Sequence, residues 1–187
     1  MKKAINLLEL IIAIILLVLI IFGTTAFDIG NRGLLDYSED RATLINEANL
    51  VLDRISRDGV FAIGDTANPA FTHVGTNILS MRQDTNLNGR LDGADQIVTY
   101  TYNAGNHTVT RGGEIITSRA VDFTVTPQPV GVNPPTSYVV SITLQRDPAE
   151  VTRDVATGAL LVTADRAMRN PQVTSQTRVV SSAYSIH

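Results

Sequence analysis

The spacing of hydrophobic and polar positions divides the chain into three regimes. From Leu10 to Phe27 there is no charged residue, and the positions are almost all apolar or small. A helix needs about 20 such residues to cross a bilayer, so the pattern predicts a membrane-spanning helix over residues 5–27. From Leu34 to Asp58 the period becomes helical. Ile45, Ala48, Leu52 and Ile55 recur at spacings of three and four, and Leu44 and Val51 widen the stripe. That is one apolar face of an amphipathic helix, and residues 28–58 are assigned to it. Asp53 and Arg57 stand one turn apart, where opposite charges pair weakly, and Gly59 is a stop signal. Gly30 and Gly33 each weaken a helix by about 1 kcal/mol relative to Ala, so a bend or a melting stretch is expected between the two halves. Joined, the halves make a helix on the order of 80 Å long.

Past Gly59 the period falls to two. Gly64 to Gly75 reads as irregular, with Asn68-Pro69 as a turn signal. Strands are predicted at Ile78–Arg82 and Gln96–Tyr102. His107–Arg111 returns after the Asn103-Ala104-Gly105-Asn106 turn, and Glu114–Thr117 follows Gly112-Gly113. Val121, Phe123 and Val125 mark a further strand, and Tyr138, Val140, Ile142 and Leu144 another. Pro127 to Pro135 is expected to be a loop. Val151–Val155 and Ala159–Thr163 are expected to form a small outer hairpin, and Thr177–Ile186 a closing strand. The expected fold class is therefore α+β. A long N-terminal helix, half membrane-type and half amphipathic, packs on an antiparallel β-rich domain of residues 59–187.

Composition adds constraints. The 187 residues suit one membrane helix and one modest domain. There is no cysteine, so core packing, strand pairing and a metal are the remaining means of holding the domain. Both lysines, Lys2 and Lys3, lie at the start of the chain. They orient the span with its N-terminus cytoplasmic, by the positive-inside rule. Without residues 1–4 the chain keeps 13 arginines against 18 acids, a formal charge near −5. Nucleic-acid binders carry a basic footprint instead, so no nucleic-acid partner is predicted.

Glu9 lies inside the apolar run. A carboxylate in hydrocarbon costs several kcal/mol, and such residues are usually functional. The combination of Lys2-Lys3-Ala4-Ile5-Asn6-Leu7-Leu8-Glu9-Leu10 with a long span resembles the amino terminus of type IV pilins and type II secretion pseudopilins. The resemblance implies a leader of residues 1–4, cut by a prepilin peptidase between Ala4 and Ile5. Glu9 then becomes the fifth residue of the mature chain, as in that family. Ala4 and Ile5 depart from the Gly and Phe that the family most often has there. The family also implies methylation of the new Ile5 amine and use of Glu9 in assembly. The implied partners are other pilin or pseudopilin subunits, the peptidase, an inner-membrane assembly platform and, before assembly, membrane lipid. The implied location is the bacterial inner membrane with an extracytoplasmic domain, then the filament. Two other readings remain for the segment: a secretory signal peptide cut near Thr24-Thr25-Ala26, or a plain signal anchor, which leaves Glu9 unexplained.

A second motif is Asp84-Thr85-Asn86-Leu87-Asn88-Gly89-Arg90-Leu91-Asp92-Gly93-Ala94-Asp95. Oxygen side chains fall at loop positions one, three, five, nine and twelve, Gly89 at six, and Arg90 at seven with a carbonyl to offer. Calcium takes six to eight hard oxygen ligands in this kind of loop. The candidate ligands are Asp84, Asn86, Asn88, Arg90, Asp92 and Asp95. The final Asp in place of Glu resembles a dockerin-type loop, but there is one copy and its flanks read as strands. The expectation is a single structural calcium site joining two strands, which fits the pilin-like family, where several members carry calcium in the outer domain. The competing reading is a solvated Asn88-Gly89 hairpin turn.

The three histidines, His73, His107 and His187, are scattered, and none of the familiar catalytic motifs is present. His107 is expected on a strand surface, and Glu39-Asp40 and Glu150/Asp154 on solvated faces. The chain is thus expected to be a structural, non-enzymatic, minor subunit of a type IV pilus or type II secretion pseudopilus. The alternative is a membrane-anchored calcium-binding β module, such as an adhesin or docking domain, with no filament role.

Overall fold

The computed structural model describes residues 7–65, 67–129, 137–150, 152–153, 160–161, 170–180 and 183–184. The chain divides into two compact units, Met1–Glu39 and Asp40–His187. One helix, α1 (Leu7–Val60), supplies 54 residues without interruption. The melting stretch expected at Gly30 and Gly33 does not appear, since both lie within the helix. Their intrinsic penalty is small beside the propagation of helix through good helix formers on either side.

In the first unit the apolar segment is long and apolar enough to cross a membrane, and none of that window is buried by the rest of the chain. The Thr24 and Thr25 hydroxyls donate to the Ile20 and Ile21 carbonyls one turn back. This lets two polar side chains sit in an apolar helix with their donors satisfied. An i,i+4 pair, Asp28–Arg32 at 2.9 Å, follows where the apolar run ends.

The second unit is an α+β domain. The α1 residues Leu44, Ala48, Val51, Leu52 and Ile55 are buried. Ile45 departs from the expected stripe and is 36% exposed. The spacing of three and four is satisfied equally well by 44-48-51-55 and 48-52-55, which centres the stripe slightly to one side. Each fully buried aliphatic side chain contributes about 1.5–3 kcal/mol over its exposed state. The Asp53–Arg57 pair forms as expected, at 2.7 Å on the solvent side.

Two antiparallel sheets complete the core. The larger has the order β2-β3-β4-β5-β6, built from Phe71–Val74, Ile78–Gln83, Gln96–Asn103, Thr108–Arg111 and Glu114–Thr117. These are hairpin neighbours in sequence, and the alternation puts Leu79, Met81, Tyr100, Tyr102 and Val109 in the core. The smaller sheet places β8 (Ser137–Gln145) between β7 (Ala120–Gln128) and β11 (Gln172–Val180). Phe123, Val125, Tyr138, Val140, Ile142 and Leu144 share the same buried cluster. Pro127 belongs to β7 rather than to the expected loop, in an edge strand where a missing donor is tolerated. Residues 130–136 lie outside the described set.

Three further departures concern short or distant pairings. The stretch read as irregular contains β1 (Ile63–Gly64) and β2. β1 pairs in parallel with β12 (Ala183–Tyr184), a contact between residues about 120 positions apart. The closing strand begins earlier than expected and is described as two segments, β11 and β12. The small outer hairpin is present where it is described, as β9 (Thr152–Arg153) against β10 (Leu160–Leu161).

Gly59 and Gly64 bracket the exit from α1. A Cβ on Gly59 would stand 2.2 Å from a Val179 methyl, and one on Gly64 would stand 2.1 Å from the Ala70 amide nitrogen. Glycine is needed at both places because Val179 of β11 and the Ala70 backbone stand directly against them. The Ala62 amide then donates to the Gly59 carbonyl at 3.1 Å and satisfies one of the acceptors a helix end leaves over.

Candidate functional site

Three places hold the candidate residues. The first is the amino-terminal segment. Ala4 and Ile5 lie outside the described residues. Glu9 falls in the first turn of the described part of α1 and is exposed.

The second is the loop of residues 84–95. It links β3 to β4, adjacent antiparallel strands, as the sequence pattern predicts. Asp84 closes the loop on itself, with its carboxylate accepting from the Asn88 and Gly89 amides at 3.2 and 2.7 Å. The side-chain oxygens of Asn86 and Asn88 accept from the amides two residues on, at 3.2 and 2.7 Å. These Asx turns pull the chain round Leu87 and Gly89, which both take left-handed φ values, 55° and 68°. Glycine adopts that conformation freely. Leu87 does not, and it is held there by the ring of hydrogen bonds on either side.

At the centre of the loop, Asp92 accepts from the Asn86 and Asn88 side-chain amides at 2.9 and 2.8 Å. Its other oxygen accepts from the Ala94 amide at 2.8 Å. The hydrogen bonds from Asn86, Ala94 and Asn88 hold the Asp92 carboxyl below its usual range. Asp95 Oδ2 accepts from the Asp92 amide at 2.9 Å, whereas Asp95 Oδ1 is buried with no hydrogen-bond partner. A buried carboxylate oxygen without a donor is costly, and a hard cation is one group that satisfies it. An amide oxygen has two lone pairs, so Asn86 and Asn88 each retain one after their turn bonds. The donor set therefore suits calcium in type. The loop as described is closed by amide-to-carboxylate bonds, and no group of three or more His, Cys, Asp or Glu side chains is placed to hold a metal ion among the described residues.

The third place was not foreseen from the sequence. At the end of α1, Asp58 is only 8% exposed. The Tyr100 hydroxyl donates to its Oδ2 at 2.6 Å. Arg111 grips the same carboxylate with two donors, Nε at 2.7 Å and Nη2 at 3.1 Å. Burial alone pushes the Asp58 carboxyl up. The hydrogen bonds from Arg111 and Tyr100, with the Arg111 charge, outweigh it and leave the carboxyl below its usual value of 3.8. Burial and the Asp58 carboxylate push the Tyr100 phenol up. Asp58 and Arg111 are 53 positions apart and Asp58 and Tyr100 are 42 apart, so no local pattern announces the cluster. The available signals were a charged residue beside a buried helix face and a Tyr on the inward register of β4.

A second tie between helix and sheet joins Glu47 to Thr117 at 2.6 Å and to Arg119 at 3.4 Å. Asp40, expected to be solvated, pairs instead with Arg146 across the domain. The described histidines do not gather. His73 packs edge-on against the Tyr138 ring, with Nδ1 3.3 Å from its hydroxyl. His107 is not on a strand surface. It ends the β4–β5 turn at φ 55°, half-buried, and Nδ1 lies buried without a partner. Its carbonyl takes the Ala120 amide at 3.0 Å.

Comparison with protein-family models, curated proteins and solved structures finds no match to this chain.

Proposed function

We propose that this chain is a minor structural subunit of a type IV pilus or a type II secretion pseudopilus. The supporting observation is α1 itself. One helix of 54 residues begins as an exposed apolar segment of membrane-spanning length and ends as the buried face of a β-domain core. An ordinary anchor needs only the first property. A subunit carried by its helix from membrane to fibre needs both. On this reading the leader of residues 1–4 is removed between Ala4 and Ile5 by a prepilin peptidase, Ile5 is methylated, and Glu9 acts in assembly. The subunit then leaves the inner membrane through an assembly platform and joins other pilin-type subunits, with its β-domain outside the membrane. No catalytic step is assigned to it.

Mass spectrometry of the mature protein from sheared filaments tests the reading. The expected species begins at methylated Ile5. A mature chain beginning near Phe27, or an uncut chain absent from filaments, overturns it in favour of a signal peptide or an anchored module.

We further propose that the loop of residues 84–95 holds one structural calcium. Asp84, Asn86, Asn88, Asp92 and Asp95 would supply side-chain oxygens and Arg90 a carbonyl, with the buried Asp95 Oδ1 as the ligand most in need of the ion. When bound, the ion would neutralise three carboxylates spread over twelve residues. Extracellular calcium modules bind at about 10⁻⁴ to 10⁻³ M, so about 10 mM calcium stabilises the folded state by about 1.4–2.7 kcal/mol. That corresponds to a rise in Tm on the order of 3–10 °C. Thermal unfolding in calcium and in chelator is expected to differ by that amount, and Asp84→Ala to abolish the difference. Equal Tm values for the native chain would return the loop to a plain turn.

A further inference from the structure

The larger sheet turns one face into the core, where Leu79, Met81, Tyr100, Tyr102 and Val109 join α1 and the smaller sheet. The residues between them turn the other way. Register places Val74, Ile78, Thr101, Thr110 and Ile115 side by side in one row across all five strands. Beside that row lie Thr72, Ser80 and Thr99, with the Ser80 and Thr99 hydroxyls 3.0 Å apart. Arg82 and Ile97 follow as the next pair. Threonine at an outward strand position needs no special cause, because β-branched residues suit a pleated surface. Three large aliphatics do. Val74, Ile97 and Ile115 are 65%, 59% and 61% exposed, where a half-solvated antiparallel sheet ordinarily turns polar side chains to water. These outward positions include no acid, in a chain that has 18. Their one charge is Arg82, whose Nε is buried without a hydrogen-bond partner.

We propose that this face is a contact between two copies of the chain held in one membrane, each offering the same face to the other. Charge selects the occupant. The chain has a formal net charge of −3, so copies repel, and an acid-free face is where they meet with least repulsion. Its lone cation also favours an acidic partner. A two-fold through the middle strand, β4, does not set the two Arg82 side chains against each other, since Arg82 lies on β3 in the end row. Shape agrees with charge. Two sheets of the same twist pack face to face with their strands about 30° apart, and an identical face has the matching twist. Area sets the strength. Five strands about 4.8 Å apart, with three rows about 7 Å apart, cover on the order of 400 Å². A stable interface takes about 800 Å² from each partner, so this contact does not hold a dimer in dilute solution. Anchoring by the apolar part of α1 confines copies to one surface and raises their effective concentration. The inference rests on the membrane span and not on the fibre.

The chain has no cysteine, so one introduced thiol reports the contact. Thr101→Cys lies on the middle strand of the face. Leu50→Cys, at a position of α1 that is 70% exposed, is the control off this face. A short bismaleimide is added to the full chain in lipid vesicles at a low protein-to-lipid ratio. It is expected to join Thr101→Cys into dimers about five-fold more than Leu50→Cys. Adding Ile115→Asp puts an acid on the face at an exposed position, and should lower the Thr101→Cys yield about five-fold or more. Equal urea midpoints with and without Ile115→Asp keep folding out of the comparison. Equal yields from the two thiols, or a Thr101→Cys yield that Ile115→Asp leaves unchanged, overturn the face contact. Recovery of the native chain from sheared filaments is a separate readout. Filaments without crosslinking sink the face alone, and crosslinking with no chain in filaments sinks the subunit reading alone.

Discussion

Replacing Asp58 with Ala is expected to destabilise the β-domain by about 3–5 kcal/mol, the usual cost of removing one member of a buried ion pair. The loss comes from what remains behind. Arg111 is left with a side chain only 26% exposed and no carboxylate. Tyr100 is left with a hydroxyl in a fully buried side chain and no acceptor. Exposed pairs provide the contrast. Arg54 and Glu114 meet at 3.4 Å with side chains 45% and 68% exposed, and such a pair contributes about 0–1 kcal/mol. Urea unfolding of the full chain in micelles should therefore separate Asp58→Ala from Arg54→Ala by at least about 2 kcal/mol. Equal effects would mean that the cluster is only decoration on an apolar interface.

The cluster also carries a pH signature. The Asp58 carboxyl lies below its usual 3.8 in the folded domain. Folding therefore gains stability from it in full above the unfolded value of about 3.9, and the gain is lost as pH falls through the lower folded value. Between pH 7 and 5 the Asp58 contribution is expected to be flat. Below about pH 4 the gap in stability between the native domain and Asp58→Ala should narrow.

How much of this was legible in the sequence depends on how local each feature is. The apolar run and the helical stripe repeat within one or two turns, so α1 was readable to within two residues at Val60. The β7 and β8 alternations each marked the residues that turn inward, because a strand with one buried face must keep period two. The loop of residues 84–95 was readable because all of its oxygen donors lie within twelve positions. What failed was non-local. The two-residue pairing of Ile63-Gly64 with Ala183-Tyr184 has no periodicity to detect. Gly64 looked like a loop glycine, whereas its missing Cβ makes room for the Ala70 backbone. Ile45 was placed on the buried face by spacing alone, and the sheet, not the helix, decides which of two adjacent aliphatics it covers. The Asp58 cluster needed three residues from one helix and two strands. Alternation along β4 offers Tyr100 as one of two possible faces and says nothing of the acceptor waiting for it.

Replacing Glu9 with Ala is expected to leave membrane insertion and leader cleavage intact while reducing incorporation into filaments at least about tenfold, since 1.4 kcal/mol already amounts to that factor. Insertion should survive because Leu10 to Phe27 has the length and apolarity to span a bilayer without it. A carboxylate at this depth is a liability to the free subunit, and losing it should, if anything, favour residence in the membrane. Its value appears when a second subunit supplies a positive partner. In the proposed fibre that partner is the amine of a neighbouring Ile5, created by the cut after Ala4. A close pair of opposite charges in a low-dielectric core interacts far more strongly than one in water, and leaving either charge unpaired costs several kcal/mol. Glu9→Gln keeps the side chain's shape and removes its charge, so it should fail as Glu9→Ala does. Quantitative immunoblots of sheared filaments and of membranes, for the native chain and both variants, measure the ratio. If Glu9→Gln assembles normally and Glu9→Ala does not, shape rather than charge is what the fibre reads. If both assemble normally, the carboxylate has no part in assembly and the subunit reading loses its strongest residue.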